Sequence, residues 1–389
     1  MKEIGILEIR WHEVYLSTIC RICKTENTNV TIFTTKKIFL SLRNVLKDIS
    51  DFDFVIKSEN ESDLSFLRRV EQFCNEKIDI LFVNTIQGNC LELACFLHFH
   101  PKSRTILTIH NVNAWFKPKF SCKINRDKLP IGLLKPVNTN ACSVIRRLLL
   151  PKYDAINVIY PPMKKYILEN TDYKKEIYTL PHSFYEDGPI SKKSHENIIF
   201  TVPGAIKEGR LDYELVIKLF EDLFLKYNKL EIYMLGYPYD SYGEEIVHKC
   251  EELKKDGYLI YYFKEPVPRD VWGEIFTKSD FILMPFEKWW PSEPRELWGT
   301  TKGSGSMSEC IRYAKPFIIP ESFNVIKELE KFTVKYKNIE NLKEIIESLI
   351  KNKEKVNYLT NQALINSKYF SLQNLKEYFK KDISYKNKQ

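Results

Sequence analysis

Gly303-Ser304-Gly305-Ser306 is followed by an amphipathic run, Met307 to Ala314, that carries a single acid, Glu309. Lys315-Pro316 ends the run and the apolar Phe317-Ile318-Ile319 begins. A small-residue turn opening a helix leaves backbone N–H groups without intrahelical partners and points the positive end of the macrodipole outward, which suits a phosphate. A carboxylate one turn into that helix can accept from sugar or ribose hydroxyls. The same residues also suit a polar loop whose Glu stabilises a helix start, so the stretch alone leaves both readings open.

The elements that must position such a site follow a βαβ grammar. Near-continuous apolar runs at Ile4–Ile9, Val30–Thr34, Phe54–Ile56, Ile78–Val83, Thr105–Ile109, Ala155–Ile159 and Ile177–Leu180 read as strands buried on both faces of a parallel sheet. Helical patterns such as Ser62–Glu76 and Cys90–Phe99 lie between them. The grammar restarts with strands at Ile198–Val202, Leu230–Leu235, Leu259–Phe263, Phe281–Met284 and Phe317–Ile319. The second half adds helices at Tyr213–Tyr227, Tyr242–Asp256, Arg269–Lys278, Ser306–Tyr313 and Ile339–Lys351. The expectation is therefore an α/β chain with two Rossmann-like, doubly wound domains: residues 1–185, a polar linker 186–197, and residues 198–365. A C-terminal helix over 366–389 is expected to return to the first domain, and its Lys380, Lys381, Lys386 and Lys388 read as a solvated, frayed end.

Length and composition agree. At 389 residues the chain exceeds what one hydrophobic core usually organises. A hydrophobic fraction of 44% is globular, and no run is long enough to span a membrane. Charges at Lys2, Glu3, Glu8, Arg10 and Glu13 interrupt what would be the apolar part of a signal peptide, so a cytoplasmic protein is expected. Nine scattered cysteines fit reduced thiols; Cys20 and Cys23 form the one close pair and read better as helix or core thiols than as zinc ligands. The net charge of +8 is spread along the chain, which argues against a nucleic-acid partner.

Two doubly wound halves place their strand C-terminal ends on either side of one cleft. Within that frame the chain resembles the GT-B fold glycosyltransferases of the large group 1 family, most clearly from Ile198 to Pro320. The resemblance rests on Val202-Pro203-Gly204, Tyr233-Met234-Leu235-Gly236, Phe281 to Phe286 with its Met284-Pro285 pair, Gly303 to Glu309, and Tyr313-Ala314-Lys315-Pro316, in that order. It implies a donor-diphosphate site in which the family's Gly-Arg pair and G-x5-K spacing supply cations. Here Ala205 stands in place of the Arg, and Arg210 occupies the Lys position. Arginine's fork can hold two phosphate oxygens, so the exchange is chemically sound. Lys207 and Lys302 are candidate helpers beside Gly303, Ser304, Gly305 and Ser306.

The family's E-x7-E pattern implies that Glu309 holds the ribose, but the matching first position is Thr301. Glu293 or Glu296, in the Trp-rich tract Lys288–Trp298, are candidates to replace the missing sugar contact. On the other wall the resemblance implies that His110, after the strand Thr105–Ile109, faces the donor sugar, with Asn111 and Asn113 able to bind hydroxyls. His182 is expected to line the cleft or act at the hinge. Arg10, His12 and Glu13 follow the first strand and are candidates to touch acceptor or donor phosphate. Val144–Leu150, with Arg146 and Arg147, suits either a buried helix or a membrane surface.

The resemblance implies a hexosyltransferase-type enzyme that moves a sugar from a nucleotide-sugar substrate to a saccharide, a lipid-linked or another hydroxyl acceptor. It implies retention of configuration and no metal or other cofactor. If the acceptor is a lipid, peripheral contact with the inner membrane face is expected. The departures at Ala205 and Thr301 keep a catalytically silent carbohydrate- or protein-binding relative as the alternative. A sugar-nucleotide epimerase of the same fold would need a carboxylate pair and a His in the cleft, which the sequence alone does not locate.

Overall fold

The computed structural model describes residues 1–46, 48–117, 131–186, 196–292 and 294–384, with the backbone alone for 131–137. The linker expected over 186–197 therefore lies mostly outside the described residues.

The first sheet is formed by β1 (Lys2–Glu8), β2 (Thr28–Thr35), β3 (Asp53–Lys57), β4 (Ile80–Val83), β5 (Arg104–Ile109), β6 (Ala155–Val158) and β7 (Glu176–Thr179). It is parallel throughout, in the order β3-β2-β1-β4-β5-β6-β7. Every residue of β4, β5 and β6 is buried, which explains why these strands are apolar without alternation. The second parallel sheet is formed by β8 (Ile198–Pro203), β9 (Leu230–Leu235), β10 (Ile260–Tyr262), β11 (Phe281–Leu283), β14 (Phe317–Pro320) and β15 (Thr333–Tyr336). Its order is β10-β9-β8-β11-β14-β15, and a separate antiparallel hairpin joins β12 (Trp289–Trp290) to β13 (Glu296–Leu297). Strand order reverses beside β1 and β4 in one sheet and beside β8 and β11 in the other. Loops leaving these strands are where an open α/β sheet binds ligands.

Flanking helices start where side chains can satisfy their orphan N–H groups. Ser62 accepts from Ser65 at the start of Asp63–Lys77, Asp212 from Leu215 before Tyr213–Phe224, and Asp240 from Gly243 before Ser241–Lys255. Phe66, Leu67, Val70 and Cys74 recur on one face of the first of these and are buried against the sheet.

Three features depart from the sequence reading. The expected helix Cys90–Phe99 is a short helix, Cys90–Ala94, followed by a 3-10 turn, Cys95–His98. β15 is an edge strand with one buried residue, and its sequence, TVKY, lacks the apolar continuity of the inner strands. The β12–β13 hairpin has strands too short to leave a period.

The C-terminal segment returns to the first sheet, as expected. Tyr185 donates its backbone N–H to the Phe370 carbonyl at 2.9 Å, and Phe379 packs 6.3 Å from Phe82. Its end is not frayed up to Ser384, because Phe379 and Ile383 are fully buried and Lys380 pairs with Glu26 at 3.6 Å. Lys386 and Lys388 lie outside the described residues. Cys20 and Cys23 are buried free thiols on the helix Glu13–Cys23, with burial raising both well above the ordinary thiol range.

Candidate functional site

The second sheet supplies a cationic wall. After β8 the chain turns at Gly204, whose φ of 116° is a left-handed conformation that side chains disfavour. A Cβ there would meet the Arg210 guanidinium at 2.5 Å, so the bare glycine lets Arg210 lie directly over the backbone. Gly236 packs still closer: a Cβ would stand 1.9 Å from the Gly204 carbonyl oxygen. The Arg210 side chain makes no hydrogen bond or ion pair among the described residues, while its backbone N–H donates to the Lys207 carbonyl at 3.4 Å and the Lys207 ammonium lies 4.6 Å over the Tyr239 ring.

The helix Gly305–Arg312 begins beside this loop. Ser304 accepts from the Met307 N–H at 3.4 Å, and the Ser306 hydroxyl donates to the Pro203 carbonyl at 3.2 Å. The preceding turn is less flexible than its composition suggests. Gly303, Ser304 and Ser306 are buried, and a Cβ on Gly303 would meet Ile159 at 3.1 Å, because the loop after β6 closes over it. Gly305 is exposed with nothing within 4 Å of a Cβ position, which leaves this edge of the helix start accessible.

Lys302 stands between the walls. Its ammonium donates to Asn111 Oδ1 at 2.7 Å and lies 5.1 Å and 5.6 Å from the rings of Trp290 and Trp298. Burial lowers its pKa to about 8, against the opposing pull of Glu296 and with help from Arg210. Glu309 is buried, with both carboxylate oxygens 3.0 Å from Arg269 Nη2. A carboxylate has about four acceptor sites, so this ion pair orients Glu309 without exhausting it. Arg312, on the same helix, donates to Ser183 Oγ at 2.9 Å.

The first sheet supplies a neutral aromatic wall. His12 and His110 stack at 4.3 Å with planes 5° apart; Tyr15 meets His110 edge-on at 5.4 Å and stacks on His182 at 5.5 Å. His12 is held at φ 90°, ψ 35° immediately before the helix Glu13–Cys23, a costly backbone for a non-glycine residue. Burial, and then Lys302, lower His12 to about 4. Burial, His12 and nearby arginines lower His182 to about 3, and burial with the other two imidazoles holds His110 well below the usual range. All three are therefore neutral at pH 7. His110 Nε2 lies 3.2 Å from the Asn84 carbonyl, which can only accept. The proton therefore resides on Nε2 and Nδ1 is left as an acceptor. Asn84 is itself fixed by Glu8, whose carboxylate accepts from Asn84 Nδ2 at 2.9 Å and from the Thr85 hydroxyl at 2.6 Å.

Several candidates have other duties. Glu296 is fully buried, and its oxygens accept from the backbone N–H groups of Asn113 at 3.1 Å and Ala114 at 2.9 Å. It therefore does not offer the sugar a carboxylate. Thr301, at the position of the missing glutamate, accepts from Leu297 N–H at 2.7 Å through its hydroxyl and from Val112 N–H at 2.9 Å through its carbonyl. Asn113 Nδ2 donates to the Arg295 carbonyl at 2.8 Å and its Oδ1 accepts from Tyr166, so its amide is engaged between the two halves. Arg10 is drawn into its own half by ion pairs with Asp63 at 2.7 Å and Glu92 at 2.8 Å. Glu13 occupies the first turn of its helix, partly exposed. Glu293 lies outside the described residues.

Tyr15, Asn84, Arg269 and Arg312 were not singled out in the sequence. Asn84 directly follows β4, so the strand-end rule that selects His110 selects it too. The other three sit inside or at the start of helices, where no local signal separates them from ordinary helix residues.

Solved structures match this architecture from end to end. A glycosyltransferase from Rickettsia africae ESF-5 superposes with a TM-score of 0.66 at 13% identity over 99% of each chain. The Escherichia coli trehalose-6-phosphate structure bound with UDP-2-fluoro glucose gives 0.59 at 11% identity over 100% of each. The chain has the GT-B fold. A Listeria monocytogenes protein assigned as a UDP-N-acetylglucosamine 2-epimerase shares it, with a TM-score of 0.57 at 14% identity over 100% of this chain and 98% of that one. No protein-family model matches the sequence, and no curated protein matches it by sequence. Among the described residues of this GT-B protein, no group of His, Cys, Asp or Glu is placed to hold a metal ion, and no helix is long and apolar enough to cross a membrane.

Proposed function

We propose that this GT-B protein is a glycosyltransferase that takes a sugar from a nucleoside-diphosphate donor. One observation carries the reading: the Arg210 guanidinium lies over Gly204 with no side-chain partner among the described residues, in the loop after Pro203, on whose carbonyl the start of the helix Gly305–Arg312 packs through the Ser306 hydroxyl. A diphosphate held there would meet a guanidinium fork and the free N–H groups of Gly305 and Ser306, which would stabilise the charge that grows on the leaving group as the glycosidic bond breaks. Lys207 and Lys302 would extend the positive field. Glu309, oriented by Arg269, would accept from the ribose hydroxyls with its remaining lone pairs.

On the facing wall His110 would accept from a hydroxyl of the donor sugar through Nδ1, a role set by the Asn84 carbonyl. His12 and Asn111 would line the same side, with His182 behind Tyr15. The departing diphosphate would take the acceptor proton, so retention of configuration without a protein base is the stereochemistry proposed. The acceptor class is a saccharide or another hydroxyl compound in the cytoplasm. Val144 and Leu148 are exposed near Arg147 on the helix Ile131–Leu149, which leaves peripheral contact with a lipid-linked acceptor as part of the proposal.

The engagement of Thr301 and Glu296 in contacts between the halves favours one second reading, a GT-B protein that binds a nucleotide-sugar without transferring it. A thermal-shift panel of UDP-, GDP- and ADP-sugars tests the shared core of both readings, since a ligand of the folded state raises the melting temperature. At least one donor should raise it, and a blank panel would sink both.

A further inference from the structure

The hairpin that carries β12 and β13 touches both halves of the chain. Pro291 packs on Gly209, in the loop that carries Arg210, where a Cβ would stand 2.9 Å away. Trp290 and Trp298 flank the Lys302 ammonium, and Glu296 reaches across to the first residues of Val112–Phe116, the helix that follows His110 and Asn111. A fully buried carboxyl group accepting two backbone N–H groups from the other half is a directional tie, because its loss strands the buried partners. Neutral ties surround it: Val112 N–H to the Thr301 carbonyl at 2.9 Å and Asn113 Nδ2 to the Arg295 carbonyl at 2.8 Å.

We infer that Glu296 is the latch between the two halves and a positioning residue for the cleft. By fixing the start of helix Val112–Phe116 against the hairpin, it sets Asn111 where Lys302 can donate to it, and so places the hairpin's cation opposite the wall that carries His110. The latch follows from the contacts alone; its consequence for donor placement rests on the function proposed above. A structural filler at this position would hold the core without controlling Lys302.

Glu296→Ala and Glu296→Gln distinguish these roles in the full chain without nucleotide. Hydrogen exchange reports the Asn113 and Ala114 amides, and acetic anhydride labelling read by peptide mass reports the accessibility of Lys302. Glu296→Ala should speed exchange at both amides and labelling of Lys302 by about tenfold or more. Glu296→Gln, whose one carbonyl oxygen can serve one amide while its NH2 opposes the other, should fall between Ala and wild type. Amide exchange and Lys302 labelling equal to wild type in both variants would overturn the latch. Faster amide exchange with unchanged Lys302 labelling would overturn the positioning role. Should Glu296→Ala fail to fold, Glu296→Gln decides by the same two readouts. The donor panel is a separate measurement, so failure of the latch and failure of the proposed function give different results.

Discussion

Replacing Arg210 with Ala isolates the contribution of the cation at the centre of the donor proposal. Its guanidinium lies over Gly204 and has no hydrogen-bond or ion-pair partner among the described residues, so the fold loses little when it is removed. Unfolding free energy should stay within about 0.5 kcal/mol of wild type. A bidentate pair with a diphosphate supplies two charge-assisted bonds, and a net loss of about 3 kcal/mol on truncation corresponds to roughly 100-fold in affinity. Arg210→Lys keeps the charge without the fork and should lose about tenfold. Isothermal titration with the nucleoside diphosphate selected by the donor panel measures both variants, and the free sugar serves as a control that should not respond. Gly204→Ala provides an independent arm, because its Cβ would displace the same guanidinium. Affinity of Arg210→Ala within about threefold of wild type, with the fold intact, would refute the assignment of Arg210 to the diphosphate.

Further outcomes follow from the same geometry. Lys302 carries its charge below about pH 8, so diphosphate affinity should fall as pH rises through 8, and titrations of Lys302→Met from pH 7 to 9 should be flatter than wild type. Because Lys302 sheds its proton more readily when folded, its contribution to unfolding free energy should rise from pH 8 towards its ordinary value of 10.5. Glu296 is raised from 4.5 to about 7, chiefly by burial and against the pull of Thr301, the two amides and Lys302, while Arg146 also faces it. Forming its contact therefore takes up a proton. Closure should strengthen about tenfold from pH 8 to pH 6, as read by fluorescence transfer between labels on the two halves, and Glu296→Gln should flatten the profile. Gly236→Ala should destabilise the protein by about 2 kcal/mol in denaturant unfolding, since its Cβ would overlap the Gly204 carbonyl. His110→Ala should slow sugar release from the donor about tenfold, with diphosphate affinity unchanged in titration.

The two parallel sheets are legible in the sequence because their inner strands are buried on both faces and so carry apolar runs that nothing interrupts. β15 escapes the same rule because it lies at an edge, and the β12–β13 hairpin because its strands are two residues long. Among the candidates, Gly204 and His110 directly follow strands, whereas Arg210 is selected by what the family resemblance implies at its spacing from Gly204. What Glu296 does cannot be read from its neighbours, since the N–H groups it accepts lie on a helix near residue 113 and only the packed halves bring them together. The same holds for Glu309 with Arg269 and for Thr301 with Val112. Resemblance assigned Glu309 from its position in one helix, whereas the partner that orients it begins another.

The measurement that bears most directly on glycosyl transfer is NMR of a sugar labelled at the anomeric carbon, supplied as the donor that binds. A transferase should show slow release of nucleoside diphosphate and sugar by hydrolysis without acceptor, retention of the anomeric configuration in the first product detected, and loss of release in Arg210→Ala. A donor that binds tightly yet stays intact would contradict transfer and leave a binding protein. An epimerised sugar would instead assign the cleft to a different reaction.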